Sequence, residues 1–404
     1  MAILFIFVLT YIGIALGRIP GLSIDRTGFA LIGAIAMVAL GFVPFQDAIQ
    51  TIHFPTILLL YGLMIVSAQL RLGGFYTRIV SKTVSLLSRP RTFLFILMII
   101  SGFLSAILAN DIICFAFTPV LTYALLKARY NPIPFLLGLA VSSNIGSAAT
   151  IMGNPQNMLI GQTENLPFLP FLIYCAPPSL LSLFFSYGVI VFCYRNTLSS
   201  TDQPIPKVPE SEWPEFRFWH TLKGLLAATT LIVLFFTPIP REISAIAVAG
   251  ILLCSRTIRT KRILGLVDWH LITLFCALFI VIHGIASSGW LELLIMKLQH
   301  LGIDLNSLPV LATVTTLVSN VFSNVPAAML LLRFINSNDP TAAYILALSS
   351  TFAGNLFILG SIANLIVIEQ AKIYGVVIKF TEHARVGVPI TLISLLTAIV
   401  WIYL

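Results

Sequence analysis

Apolar residues run along this chain in long unbroken blocks. The blocks cover 1–17, 27–44, 54–70, 92–109, 169–194, 221–237, 243–255, 271–286 and 386–404. Most approach the roughly 20 residues that a helix needs to cross a hydrocarbon core of about 30 Å. Strands of a membrane barrel alternate apolar and polar positions, so the continuous blocks predict helices and exclude a β-barrel. Four stretches interrupt them with Ser, Thr, Asn, Gly and Pro: 104–121, 142–160, 318–332 and 349–367. The densest reads SSNIGSAATIMGNPQNMLIG over 142–161.

Composition agrees. Of 404 residues 58% are hydrophobic and 9% charged, against about 25% charged in a soluble domain. The chain reads as an all-α polytopic membrane protein. The first block has no basic residues before it, so it is expected to stay as a helix and not to be cleaved as a signal peptide. The five cysteines lie in or beside apolar blocks with no CxxC pair, which implies neither a disulfide framework nor a metal site. The net charge of +8 is not a nucleic-acid signal, because no soluble domain carries it.

Basic residues instead orient the chain. With the N-terminus outside, the connectors 18–27, 71–91, 127–131, 195–223, 255–268 and 369–385 are cytoplasmic. They hold all 23 Lys and Arg except Arg241, Lys297 and Arg333. Such a bias in short loops fixes orientation. It requires that 92–126 and 307–334 each enter and leave on one side, which gives about ten crossing helices plus two hairpins. Both termini are predicted outside a prokaryotic plasma membrane. The connector 196–220 is polar and Pro-rich and reads as a linker, whereas 76–89 is amphipathic, basic and suited to the cytoplasmic interface.

The two sides of that linker repeat each other. SSNIGSAATIMGNPQNMLI (142–160) aligns with SSTFAGNLFILGSIANLIV (349–367) at an offset of 207. LSAILANDIICFAFTPVL (104–121) aligns with VSNVFSNVPAAMLLL (318–332) at 214, and LMIVSAQLRLGGF (63–75) with LFIVIHGIASSGW (278–290) at 215. The segment 71–91 is inside and its counterpart 286–306 outside, so the repeats are inverted. The predicted organisation is scaffold helices over 1–53; a first repeat over 54–195 with hairpin 92–126 and broken helix 132–160; the linker; scaffold helices over 221–267; and a second repeat over 268–404 with hairpin 307–334, broken helix 342–368 and a last helix. Inverted repeats with broken helices in matching places mark secondary transporters and their binding sites.

The interruptions suit ion binding. Irregular backbone survives in a membrane only where it is buried or lines a cavity. Pro155 is expected to free the carbonyl of Ile151, and Pro326 that of Phe322, because proline donates no backbone hydrogen bond. Such carbonyls suit Na⁺, and the start of the next half-helix suits an anion. No Lys or Arg lies within the four stretches. Asp111 is an acid inside an apolar run and by default a functional residue: a proton carrier or a cation ligand, or else the N-cap of the hairpin's second arm. Ser142, Ser143, Gly146 and Ser147 also have the spacing of close helix packing. His283 and Cys114 read as structural. There is no G-x-S-x-G, P-loop, H-E-x-x-H or dinucleotide fingerprint, so no enzyme is indicated.

These residues resemble the ion-transporter superfamily in its arsenite-permease and anion-permease branch. FLSAILANDIICFAFTPVL is similar to that branch's A-N-D pattern followed by T-P. NIGSAATIMGNPQNMLI resembles its broken-helix pattern, and SNVFSNVPAAMLLL its second hairpin. The similarity runs from about residue 54 to the end. It implies an elevator-type carrier, with mobile hairpins and broken helices against a scaffold that dimerises. On that basis Asn110 and Asp111 occupy the first tip and Ser323 and Asn324 the second. The broken helices are then centred on Asn144–Asn157 and Thr351–Asn364. The candidate binding residues are Asn110, Asp111, Ser143, Asn144, Thr150, Gly153, Asn154 and Asn157, with Ser323, Asn324, Ser350, Thr351, Asn355, Gly360 and Asn364. The sodium–dicarboxylate branch carries Ser-Asn-Thr at both tips. Here they read Ala109-Asn110-Asp111 and Ser323-Asn324-Val325, which argues against dicarboxylate uptake.

The expectation is therefore a secondary carrier of a small anion or an arsenite/antimonite-type oxyanion, coupled to H⁺ through Asp111 or to Na⁺, without a cofactor or resident metal. Alternatives are a Na⁺/H⁺ antiporter of the same superfamily, a sodium-coupled dicarboxylate carrier or a channel. Expected partners are the substrate anion, the bilayer and a second copy of the chain. An ATPase subunit enters only if the chain works as part of an arsenite pump, since it has no Walker A sequence of its own.

Overall fold

A computed structural model describes residues 1–16, 24–84, 86–198, 215–254, 257–300, 302–335 and 339–404. Among them there is no strand, and the helices fall into two matching series. The first is α1 (Ala2–Leu16), α2 (Arg26–Ala39), α3 (Phe45–Gln50), α4 (Phe54–Leu72), α5 (Phe75–Val84), α6 (Pro90–Leu108), α7 (Asn110–Lys127), α8 (Ile133–Ser147), α9 (Pro155–Thr163) and α10 (Phe168–Cys193). The second is α11 (Phe218–Phe235), α12 (Arg241–Leu253), α13 (Thr260–Leu264), α14 (Trp269–Ala286), α15 (Trp290–His300), α16 (Leu308–Phe322), α17 (Asn324–Leu331), α18 (Pro340–Ala353), α19 (Ile362–Ile373) and α20 (Phe380–Tyr403). The correspondence thus extends through the scaffold helices as well as the stretches whose sequences align. Most of the expected linker, 199–214, lies outside the described residues.

Among the described residues six helices, α4, α6, α10, α11, α14 and α20, are long and apolar enough to cross a membrane, and α1, α2, α8 and α16 are shorter apolar helices. Packing repeats with the series. The helix α2 lies on α14 and α12 on α4, α6 lies on α8 and α16 on α18, and α10 meets α20. Helix α8 is buried from Pro134 to Ser147 and α18 from Ala342 to Ala353. Their polar residues therefore face protein on all sides, which makes hydrogen bonding obligatory.

Local signals explain the ends. His53 caps α4 and Asp268 caps α14, each side chain accepting from the N–H three residues on. The turn after each of these helices uses a glycine at φ 74°, Gly74 and Gly289, where a side chain would be strained. Close approach decides other glycines. A Cβ on Gly146 would stand 2.1 Å from the Gly102 carbonyl, so α6 and α8 touch backbone to backbone. Beside that contact Ser101 bonds Ser142 at 2.6 Å and Ser105 donates to Ser143 at 2.9 Å. Ser142, Ser143 and Gly146 accordingly make a helix seam.

The two prolines act differently from the sequence expectation. Pro155 is the first residue of α9, and Pro326 stands in the first turn of α17. First-turn residues have no upstream carbonyl to bond, so proline costs nothing there. The carbonyls of Ile151 and Phe322 are therefore not released from a helix by these prolines. The breaks run instead over 148–154 and 354–361.

Candidate functional site

Each hairpin turns on one strained residue. Ala109 lies at φ 64°, ψ 132° and Ser323 at φ 77°, ψ 157°, a region that side chains other than glycine's occupy at a cost of about 1–3 kcal/mol. The turn puts the next residue, Asn110 or Asn324, at the start of the second arm. Asn110 donates its backbone N–H to Gly153 O at 3.1 Å and its Nδ2 to Asn144 Oδ1 at 3.0 Å. The first tip therefore ends in the protein interior, against the first break. At the second tip, Asn324 Nδ2 lies 3.1 Å from where a Cβ on Gly354 would stand, and Asn320 Nδ2 donates to Ala353 O at 3.0 Å. Asn110 Oδ1, Asn320 Oδ1 and Asn324 Oδ1 are shielded and have no hydrogen-bond partner.

One asparagine staples each break. Asn157, the third residue of α9, donates to Ser147 O at 3.2 Å and Thr150 O at 3.0 Å, ten and seven residues back. Asn364, the third residue of α19, donates to Gly354 O at 2.7 Å and Phe357 O at 3.3 Å, again ten and seven residues back. Asn154 caps α9 and Ser361 caps α19. Both loops are tight at a glycine: a Cβ on Gly153 would meet the Ser147 backbone O at 2.2 Å, and one on Gly360 would push on the Asn320 side chain, whose Oδ1 would lie 2.7 Å away.

The two breaks are also joined to each other. Asn144 Nδ2 donates to Asn364 Oδ1 at 3.2 Å and to Asn355 Oδ1 at 3.0 Å. In the mirrored direction Thr351 Oγ1 donates to Asn157 Oδ1 at 3.4 Å. Asn154 and Gln156 donate to Thr351 Oγ1 at 3.1 and 3.3 Å, and Ser361 Oγ donates to Asn144 Oδ1 at 2.9 Å. The result is one buried network of amides and hydroxyls without a basic side chain.

Of the residues singled out in the sequence, Asn110, Asn144, Asn154, Asn157, Thr351, Asn355 and Asn364 belong to this network. Gly153, Gly360, Ser323 and Asn324 shape its edges. Thr150 donates to Ala106 O on the first hairpin. Ser143 lies on the α6–α8 seam, and Ser350 bonds back into its own helix at Ala347 O. Asp111 is the second residue of α7 and not its cap; the N-cap is Ala109, which makes no side-chain bond. No ion pair joins Asp111 to a basic side chain among the described residues. Ser361, Gln156, Asn320 and His383 were not foreseen. Ser361 was findable, since it stands 207 positions after Asn154. The counterparts of Gln156 and Asn320 are alanines, Ala363 and Ala106, so the repeat gave no signal there.

A family model described as "Citrate transporter" matches residues 3–344. The chain belongs to the citrate transporter family. This agrees with its motif resemblance to anion permeases of the ion-transporter superfamily, and it makes the chain an integral membrane transporter. It is 26% identical over 423 residues to the 46 kDa membrane protein of Mycobacterium leprae, covering 99% of this chain and 97% of the relative. It is 26% identical over 450 residues to the silicon efflux transporter LSI3 of Oryza sativa subsp. japonica, covering 93% and 92%. Among solved structures it is similar to Neisseria gonorrhoeae MtrF, with a TM-score of 0.58 at 13% identity, covering 99% of this chain and 93% of that one. That likeness is one of fold.

Proposed function

We propose that this member of the family is a secondary carrier of a small anion or arsenite/antimonite-type oxyanion, coupled to H⁺ or Na⁺ and working by elevator-type alternating access. In this reading α1–α4 and α11–α14 are the scaffold, and the hairpins and broken helices are the moving transport unit. The observation that carries it is the meeting of two hairpin tips with two stapled breaks around one buried polar network. Half-helix N-termini there offer N–H groups to an anion. The unpartnered Oδ1 atoms of Asn110 and Asn324 offer oxygen to a cation. Amide and hydroxyl groups without Lys or Arg suit a small species rich in hydroxyl groups, such as arsenite.

Counterflow in proteoliposomes tests this. Labelled arsenite, citrate and other small anions are offered with and without Na⁺ and a pH gradient. Trans-acceleration by unlabelled substrate supports a carrier. Single-channel currents without trans-acceleration would indicate a channel, and Na⁺/H⁺ exchange without anion flux would indicate the antiporter. The relative's silicon efflux makes silicic acid a further substrate for the panel.

A further inference from the structure

Arg26 and Arg241 open α2 and α12, at matching places in the two series. Arg241 reaches from the scaffold to the transport unit. Its Nη2 donates to Gly161 O at 3.0 Å and its Nη1 to Leu166 O at 2.9 Å. These carbonyls frame the closing turn of α9, in which the Leu166 N–H returns to Gly161 O at 3.0 Å and Asn165 takes φ 50°. Next to it, Glu242 accepts from Gln162 Nε2 at 3.2 Å. A guanidinium suits this place, since it offers a fork of donors to carbonyls at the negative end of a helix.

Helix α19 ends in the same kind of turn. The Val376 N–H returns to Ala371 O at 3.1 Å, and Gly375 takes φ 79°. Arg26 stands where Arg241 stands in the other series, yet its Nη1 is shielded from solvent and has no hydrogen-bond partner. Packing has the same asymmetry. Helix α9 packs on α4 and α17 on α14, whereas among the described residues the mirror pairs, α19 with α14 and α7 with α4, make no comparable packing. The charge bias puts residue 26 in a cytoplasmic connector and Arg241 outside.

We infer that Arg26 and Arg241 are reciprocal positioning residues. Each clasps the closing turn of one broken helix, Arg241 at Gly161 and Leu166 and Arg26 at Ala371 and Val376, and the two engage in turn as the transport unit moves. This structure has the Arg241 clasp closed and the Arg26 clasp open. A shielded guanidinium nitrogen without a hydrogen-bond partner is costly, which gives the open clasp a reason to close in the other state. The inference rests on the alternating-access reading above.

Cysteine crosslinking in membranes tests it on the full chain, with the five native cysteines replaced. One pair, Gln162→Cys with Glu242→Cys, reports the outer clasp. The other, Thr27→Cys with Lys372→Cys, occupies the matching inner positions. Neither pair touches the backbone carbonyls that the arginines hold. Arg241→Gln should lower crosslinking of the outer pair at least twofold and raise that of the inner pair; Arg26→Gln should do the reverse. Arg→Lys at either site, which keeps the charge and loses the fork, should give intermediate shifts and controls for folding together with monodisperse elution. The inference is overturned if the inner pair fails to crosslink even with Arg241→Gln, or if Arg26→Gln leaves both yields unchanged. The readout needs no substrate. Counterflow with unmoved yields therefore sinks the clasps alone, and absent counterflow sinks the carrier.

Discussion

Asn144 in the first broken helix donates to Asn364 in the second at 3.2 Å. Asn364 in turn staples its own break through Gly354 O and Phe357 O. One side chain therefore closes a loop and joins it to the other half. Asn364→Ala would take the side-chain donor from Gly354 O and remove one of two partners from Phe357 O and from Asn144 Nδ2; a buried polar group left without a partner costs roughly 1–3 kcal/mol. Expected outcomes are a clearly lower melting temperature and loss of counterflow. A double-mutant cycle with Asn144→Ala should return a coupling of about 0.5–3 kcal/mol, as for residues in one network. Strict additivity in that cycle would show that the two halves are not joined through this pair.

The glycines offer an internal control. Gly153→Ala puts a methyl 2.2 Å from the Ser147 carbonyl, a backbone atom that cannot swing aside, whereas Gly188 in α10 and Gly250 in α12 have nothing within 4 Å of an added Cβ. Overpacking of this kind costs about 1–3 kcal/mol. Ala at an open helical position gains roughly 0.4–1 kcal/mol through the unfolded chain. Melting temperatures should therefore fall for Gly153→Ala and hold or rise for Gly188→Ala and Gly250→Ala. Equal effects at all three would remove the argument that the first break needs glycine.

Much of this architecture was legible because it is written twice. Continuous apolar blocks specify helices. Constant offsets between GNPQN and GSIAN, and between the two hairpins, locate paired breaks without knowledge of any contact. Local rules then misled where two outcomes share one residue. Proline in an apolar run reads as a mid-helix interruption, yet Pro155 and Pro326 begin new helices, because the chain had already left the helix at Ser147 and Phe322. Ser143 and Ser350 align with each other, yet one zips α6 to α8 and the other bonds its own helix. Spacing fixes the face of a helix but not the neighbour that covers it. His383 carried no signal, since its burial depends on how α20 meets the rest of the molecule.

The hairpin tips store backbone strain. Ala109 and Ser323 both have positive φ, a conformation that glycine adopts freely. Ala109→Gly and Ser323→Gly should each stabilise the purified protein by about 1 kcal/mol, and Ala109→Val should destabilise it by at least as much. If the tips must open during transport, the glycine variants will also change turnover more than substrate affinity. Thermal melting and the concentration dependence of uptake separate these effects. Unchanged melting in both glycine variants would mean that the tips are relaxed in solution.

Among the described residues Asp111 stands on the first tip without a basic partner. An acid in an apolar membrane segment without a basic partner suits a group that takes up a proton. Asn resembles the protonated acid but cannot release a proton. Asp111→Asn should therefore abolish uptake driven by a pH gradient and keep exchange at symmetric pH. Parallel counterflow and gradient-driven uptake in the same vesicles make the comparison. Full gradient-driven uptake by the variant would exclude Asp111 from coupling.

His383 in α20 is 2% exposed, and neither ring nitrogen has a partner. The packed helices α8, α10, α16 and α18 carry no charged residue. The ionic groups nearest to it in sequence are Glu382 and Arg385, on its own helix. A Cβ on Gly387 would stand 3.1 Å from its Cε1 and 2.1 Å from Asn355 O, which places the ring near the second break. A buried polar group left unpaired costs roughly 1–3 kcal/mol, and an apolar side chain of similar size removes that cost. His383→Leu should therefore melt at the same temperature as the parent or higher. A drop of several degrees would show that the ring gains a partner in the membrane, a water or a bound ion. His383→Gln, which restores a donor and an acceptor, should then recover the loss.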